Sequence, residues 1–217
     1  MRRQNRGYKR GEPFRDARIF VIICEGTKRE PEYFRFFQQF TRRIQIRIAE
    51  PYKGSAPTHF LERAQKYDEE IGIGDDDRLW FVSDVDRWKE ETFRDIAHVC
   101  AEHPNWNLAI SHPCFEVWLY MHFWDIRDCL AHSPEDYKQV LNEKITGGYY
   151  VATFAPHIKN AAAQARQTDT NPEHYMPDRG RTKLYQLAEE MLEFIGQDWE
   201  TIQQRAVADL SVKRSKR

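Results

Sequence analysis

ARIFVIIC, residues 17–24, is a run of apolar and β-branched side chains without alternation. A strand with one wet face alternates, whereas an unbroken apolar run suits a strand buried on both faces, as in a parallel sheet. Outward from it, EPEYFRFFQQFTRR (30–43) sets Tyr33, Phe34, Phe37 and Phe40 near helical spacing. Pro31 suits a first helical turn, where its missing N–H does no harm. IQIRIAE (44–50) alternates strictly and predicts a half-exposed strand at an edge. GSAPTHFLERAQKYDEEIG (54–72) reads as loop and then helix from Pro57 or Thr58. RLWFVSDVD (78–86) and NLAIS (107–111) are further strands; KEETFRDIAHVCAEH (89–103) and CFEVWLYMHFW (114–124) are further helices, the last with an aromatic face.

Strand and helix thus alternate four times, the pattern of βαβ units and an α/β fold with an open parallel sheet of about four strands flanked by helices. Past Trp124 the strand candidates thin out, and TKLYQLAEEMLEFIG (182–196) is an amphipathic helix with a glycine stop. The expected organisation is a basic leader over 1–16, an α/β domain over 17–125, a mainly helical extension over 126–210 and a basic tail over 211–217.

The formal net charge is -1, so no global basic field exists to bind nucleic acid unspecifically. Charge is concentrated in the start, MRRQNRGYKRG, and in the end, VKRSKR, which read as solvated segments with phosphate contacts as the alternative. Cys24, Cys100, Cys114 and Cys129 lack CxxC or Cys/His metal spacing, which predicts free thiols in a reducing compartment. No run approaches the roughly 20 apolar residues that cross a bilayer, and no signal peptide is visible, so the expected location is the cytoplasm, away from membrane.

The acids are the informative feature. WFVSDVDR (80–87) ends an apolar run in Asp84 and Asp86; as residues i and i+2 of a strand they would face one space, at the carboxyl end where open α/β sheets bind ligands. The first strand ends likewise in Glu25-Gly26, and three carboxylates at one rim would repel one another unless a divalent cation neutralised them. A lone D-x-D is otherwise a helix cap or turn pair. Glu30 and Glu116 are further candidates, each with a plainer reading as a charge in a first helical turn. Lys28 and Arg29 could contact phosphate or be surface charge, and Ser55 and Thr58 suit helix capping better than phosphate binding. His112, directly after the fourth strand, could serve as proton donor or phosphate contact. The aromatics Trp118, Tyr120, Phe123 and Trp124 suit a core better than base stacking.

The arrangement VIICEG…FVSDVD resembles the Toprim domain of topoisomerases, primases and OLD-type nucleases. More narrowly, CEGTKREPEYF (24–34), GSAPTHFLERA (54–64), the D-x-D strand and SHPCFEVWLYMHF (111–123) resemble the RloB family, a Toprim group of bacterial restriction and abortive-infection loci, with a weaker echo in RTKLYQLAEEML (181–192). Arg29 stands where that family often has Thr, and His112 where it commonly has Asn. The resemblance implies a nuclease that cleaves phosphodiesters with Mg²⁺ or Mn²⁺ in anti-phage defence. It makes Glu25 the acid/base carboxylate and Asp84 and Asp86 metal ligands. Glu30 is the candidate for a further metal ligand, Glu116 and His112 for catalysis, and Lys28, Arg29 and Ser111 for substrate phosphate. The substrate would be DNA or RNA, including tRNA, and because family members often accompany an ATPase, the resemblance implies an ATPase partner chain, although this sequence itself contains no Walker A motif. Two other readings stay open: a nucleotidyl or glycosyl transferase using D-x-D, and a non-catalytic recognition module.

Overall fold

The computed structural model describes residues 17–205 apart from 40, 50, 52, 53, 55, 87, 146, 147 and 197; the expected leader, the tail, Ser55 and the Phe40 end of the first helix lie outside the described residues. The chain builds a five-stranded sheet of β1 (Arg18–Cys24), β2 (Ile44–Ile48), β3 (Arg78–Asp84), β4 (Trp106–His112) and β5 (Arg181–Thr182). Their order is β2-β1-β3-β4-β5, parallel throughout except for β5, which runs antiparallel to β4. The expected edge strand is indeed β2. The fifth strand, only two residues long, is too short to leave a period-2 signal.

Between the strands lie α1 (Arg29–Gln38), α2 (Phe60–Ile71) and α3 (Glu90–Glu102). After β4 come α4 (Glu116–Tyr120), α5 (Pro134–Lys144), α6 (Val151–Phe154), α7 (Ile158–Thr168) and α8 (Leu184–Ile195), with a helical segment over 198–205. Local chemistry sets several of these limits. A 3-10 turn, Pro57–His59, leads into α2, and Gly72 ends it at φ 85°. Ser133 and Asp136 close a capping box at the start of α5, with Pro134 in its first turn. Gly196, at φ 60°, stops α8. The helix expected over 114–124 is shorter, because after Tyr120 the chain breaks into turns.

Alternation on a doubly covered sheet explains the two apolar faces. Phe20, Ile22, Trp80, Val82 and Ala109 face α1, α4, α7 and α8, while Val21, Ile23, Leu79, Phe81, Leu108 and Ile110 face α2 and α3. On the second face Phe60 stacks on Phe81 with ring centroids 5.6 Å apart. The first face also takes the whole helical extension into the same core: Leu184, Leu187 and Met191 of α8 belong to the cluster that holds Phe20 and Trp80. The Trp80 indole N–H donates to Glu190 of α8 at 2.9 Å. The segment after 125 is therefore packed as part of the α/β body. The aromatic residues of α4 are core, as their clustering predicts: Trp118 and Tyr120 are buried.

The extension is anchored at the sheet edge by a buried ion pair. Lys183 Nζ donates to Asp169 Oδ2 and to the Asn171 carbonyl, each at 2.6 Å, and the Tyr185 hydroxyl donates to the same carboxylate at 2.8 Å. This ties down the base of the loop over 169–180, whose far end returns to β4 through Gly180 N–H and the His112 carbonyl at 2.7 Å. All four cysteines are free thiols. Among the described residues no helix is long and apolar enough to cross a membrane.

Candidate functional site

In the order β2-β1-β3-β4, the chain winds one way from β1 to β2 and the other way from β3 onward, so the topological switch falls between β1 and β3. Glu25 directly follows β1 and Asp84 ends β3, which sets these two acids on either side of the crevice where such sheets take ligands. Parallel pairing continues to the rim, with Cys24 opposite Val82 and the Glu25 N–H donating to the Val82 carbonyl at 2.9 Å.

Glu25 is held by three donors. Its Oε2 accepts from the Ser83 hydroxyl at 2.7 Å and from the Asp84 N–H at 3.2 Å, and its Oε1 accepts from the Trp88 indole at 2.6 Å. Three donors orient the carboxylate while leaving lone pairs free, since two oxygens offer about four acceptor sites. Ser83 and Trp88 were not among the candidate site residues. Ser83 leaves a trace in the sequence, as a polar residue inside an apolar strand. Trp88 leaves none, because an indole that donates to an acid looks like any core aromatic.

Asp84 is half-buried, and burial first, then the charges of Glu30, Glu116 and Glu25, push its carboxyl well above the usual carboxylate range. Glu30, in the first turn of α1, is pushed up to about 7 by burial and by Glu116 and Glu25. Its carboxylate leans across Gly26, where a Cβ would collide with both its oxygens. A glycine is required here for this close approach. Gly26→Ala should displace the Glu30 carboxylate while the fold persists. In a ¹³C side-chain NMR titration the Glu30 midpoint should then fall from about 7 toward 4.5; an unmoved midpoint would show that the contact is not needed.

Glu116 opens α4 and is buried at 4% exposure, ion-paired with Arg29. The four acids Glu25, Glu30, Asp84 and Glu116 therefore act on one another electrostatically. Asp86 does not join them as expected. The strand ends at Asp84, and Asp86 sits exposed in a turn at φ 30°, a region Asp tolerates better than most residues. The pairing with β4 runs on to Val85, whose N–H donates to the Ser111 carbonyl; Asp86 N–H then donates to the Pro113 carbonyl and Trp88 N–H to that of Val85, which closes the turn.

Ser111 also departs from expectation. It is buried, and its hydroxyl is within 2.9 Å of the Thr182 hydroxyl across the β4–β5 pair, so it is engaged inside the sheet edge. His112 is half-buried, with Nδ1 3.2 Å from the Pro177 carbonyl; a carbonyl only accepts, so Nδ1 carries the proton in the neutral ring and Nε2 is the acceptor. Lys28 is exposed immediately before α1, and Thr58 is exposed in the 3-10 turn. Beside the rim, a cavity of about 120 Å³ is lined by Gly26, Thr27, Arg35 and Arg63 among others. Arg63 is buried there and donates to the Cys24 carbonyl at 2.9 Å and the Ala49 carbonyl at 2.7 Å, fixing the backbone just ahead of Glu25.

The donor chemistry of the four acids fits a hard divalent cation: all are oxygen ligands, and their mutual repulsion is what a bound cation relieves. Among the described residues, no three His, Cys, Asp or Glu side chains are already arranged around one ion position. The rim is therefore an acidic pocket with the right atoms, and it is not a preformed cage.

A family model described as RloB-like protein matches residues 20–191. This chain belongs to the RloB-like family. The match runs from β1 into α8, so the RloB-like unit includes the helical extension as well as the sheet. No curated protein and no solved structure matches this RloB-like chain.

Proposed function

We propose that this RloB-like chain is a Toprim-like, metal-dependent nuclease that hydrolyses nucleic-acid phosphodiesters in anti-phage defence. The observation that carries this reading is the set Glu25, Glu30, Asp84 and Glu116 at the β1/β3 switch point, with Asp84 and Glu30 held above the carboxylate range by burial first and then by the charges of neighbouring acids of the set. Asp84, with Glu30 and Glu116, would hold Mg²⁺ or Mn²⁺, and the chemistry such an ion supplies is polarisation of a phosphoryl oxygen. Glu25 is the residue to take or give the proton, because Ser83, Asp84 N–H and Trp88 fix its position. In hydrolysis a water oxygen replaces one ester oxygen on phosphorus, and the departing oxygen gains a proton. His112 presents Nε2 beyond β4 as a second candidate for proton transfer, and Lys28 and Arg29 are the cations nearest in sequence to Glu25 for a phosphate.

The near-neutral charge disfavours tight unspecific duplex binding by this chain alone, which supports an ATPase partner or a small structured RNA such as tRNA. The test is cleavage of labelled DNA and RNA pools, tRNA included, in Mg²⁺, Mn²⁺ or EDTA, by wild type, Asp84→Asn and Glu25→Gln. Cleavage should require metal and vanish in both variants. Cleavage that survives in EDTA or in Asp84→Asn would overturn the assignment. Metal binding without cleavage of any pool would favour the recognition module.

A further inference from the structure

We infer that Arg29 is the resident counter-cation of Glu116, which a divalent ion must displace, so that the site binds its metal more tightly when a substrate phosphate draws the guanidinium away. This rests on the metal-site reading above and adds its regulation.

The Glu116 side chain is 5% exposed, while that of its partner Arg29 is 43% exposed. A carboxylate buried that deeply is costly without a counter-charge, so some cation has to face it. Arg29 fills that need from the first residue of α1, but its own far side is open to solvent. Its guanidinium carbon also lies 5.7 Å from the Tyr149 ring centroid, and the Tyr149 hydroxyl donates to the Arg29 carbonyl at 3.4 Å. The helical extension thereby supplies an aromatic face that keeps the group in place. A planar guanidinium that reaches solvent can engage a phosphate through two parallel hydrogen bonds. It cannot at the same time neutralise Glu116 in full. Metal and substrate then dislodge the same contact, and each must favour the other's binding by an equal factor.

The test is Mn²⁺ affinity of the full chain, measured by calorimetry without nucleic acid and with pooled phosphorothioate DNA and RNA. Arg29→Gln should bind Mn²⁺ about fivefold or more tightly than wild type without nucleic acid. Arg29→Lys, which keeps the charge, should stay near wild type. Nucleic acid should tighten Mn²⁺ binding by wild type and not by Arg29→Gln. Equal or weaker Mn²⁺ binding by Arg29→Gln overturns the inference, and an equal response or no response of both chains to nucleic acid removes the substrate-coupled half. If Arg29→Gln changes nothing but Asp84→Asn abolishes Mn²⁺ binding, the metal site stands and only the role of Arg29 fails. If no chain binds Mn²⁺, the metal site fails too. Far-ultraviolet circular dichroism of Arg29→Gln, expected to match wild type, checks that the half-exposed residue is not holding the fold.

Discussion

Asp84→Asn should make the metal-free protein more stable while removing its metal-dependent activity. Burial and three neighbouring carboxylates oppose the charge on Asp84, so the neutral amide relieves a repulsion that folding must overcome. For a chain of this size each kcal/mol relieved raises the melting temperature by about 2–4 °C. On the proposed function the same change would also remove a metal ligand and, with it, several kcal/mol of transition-state charge stabilisation, a loss of about 10³-fold or more in rate. A purely structural aspartate would show the opposite, lower stability and near-normal activity. The pH dependence has a definite sign. The Glu30 carboxyl titrates near 4.5 when unfolded and near 7 when folded. Between those values the folded chain keeps the proton that the unfolded chain has lost, so stability falls as pH rises from about 4.5 to about 7 and then levels. Asp84 adds a fall of the same sign above its ordinary range. Urea midpoints across this range should show the slope in EDTA and a shallower one in Glu30→Gln, where the contribution of Asp84 remains. Saturating Mg²⁺ should also flatten it, because a bound cation favours the ionised acids.

Lys183→Met should cost about 3–5 kcal/mol, because it strands the Asp169 carboxylate, 5% exposed, without its cation. The expected fall in melting temperature is about 10 °C. Burial works against ionised Asp169, and hydrogen bonds from Lys183, Tyr185 and the Asn171 N–H outweigh it, holding the carboxyl below its usual range. The pair therefore stabilises at neutral pH, and that contribution is lost as pH falls through the acid range. The double variant Lys183→Met with Asp169→Leu should recover most of the loss, since an apolar pair replaces a desolvated ionic one. A melting temperature equally low in the double variant would show that the lysine stem, rather than its charge, supports the loop. That loop bears on the rim through Pro177 and His112, so Lys183→Met should also free the His112 Nδ1–H, visible in the ¹⁵N imidazole spectrum.

What the sequence made legible follows the length scale of each signal. ARIFVIIC and RLWFVSD carry their burial in their own composition, and both are central strands. IQIRI advertises one wet face and is the edge strand β2. Glu25 at the end of β1 and Asp84 at the end of β3 were visible because a charge closing an apolar run is locally anomalous. The failures are cases where a distant partner decides. Asp86 lies past the end of the strand, in a turn where its N–H is taken by the Pro113 carbonyl. Ser111 turns inward because Thr182, far along the chain, offers it a hydroxyl. Trp88 and Tyr149 reach Glu25 and Arg29 only through folding, and neither has a spacing that announces it. The reach of the core across residue 125 was hidden for the same reason, since the amphipathic pattern of α8 shows that it has an apolar face and does not show what that face covers.

That covering by α8 has a consequence for the order in which the molecule can be made. Synthesis delivers β1, β3 and β4 early, and α2 and α3 can close over one side of the sheet as they appear. The other side, with Phe20, Ile22, Trp80 and Val82, waits for Leu184, Leu187 and Met191, some seventy or more positions past the end of β4. Until Ile195 has left the ribosome, that side of the sheet has only its earlier helices, α1 among them, and the part that α8 covers stays open, so this late-arriving lid sets how long the nascent chain must be shielded from its neighbours.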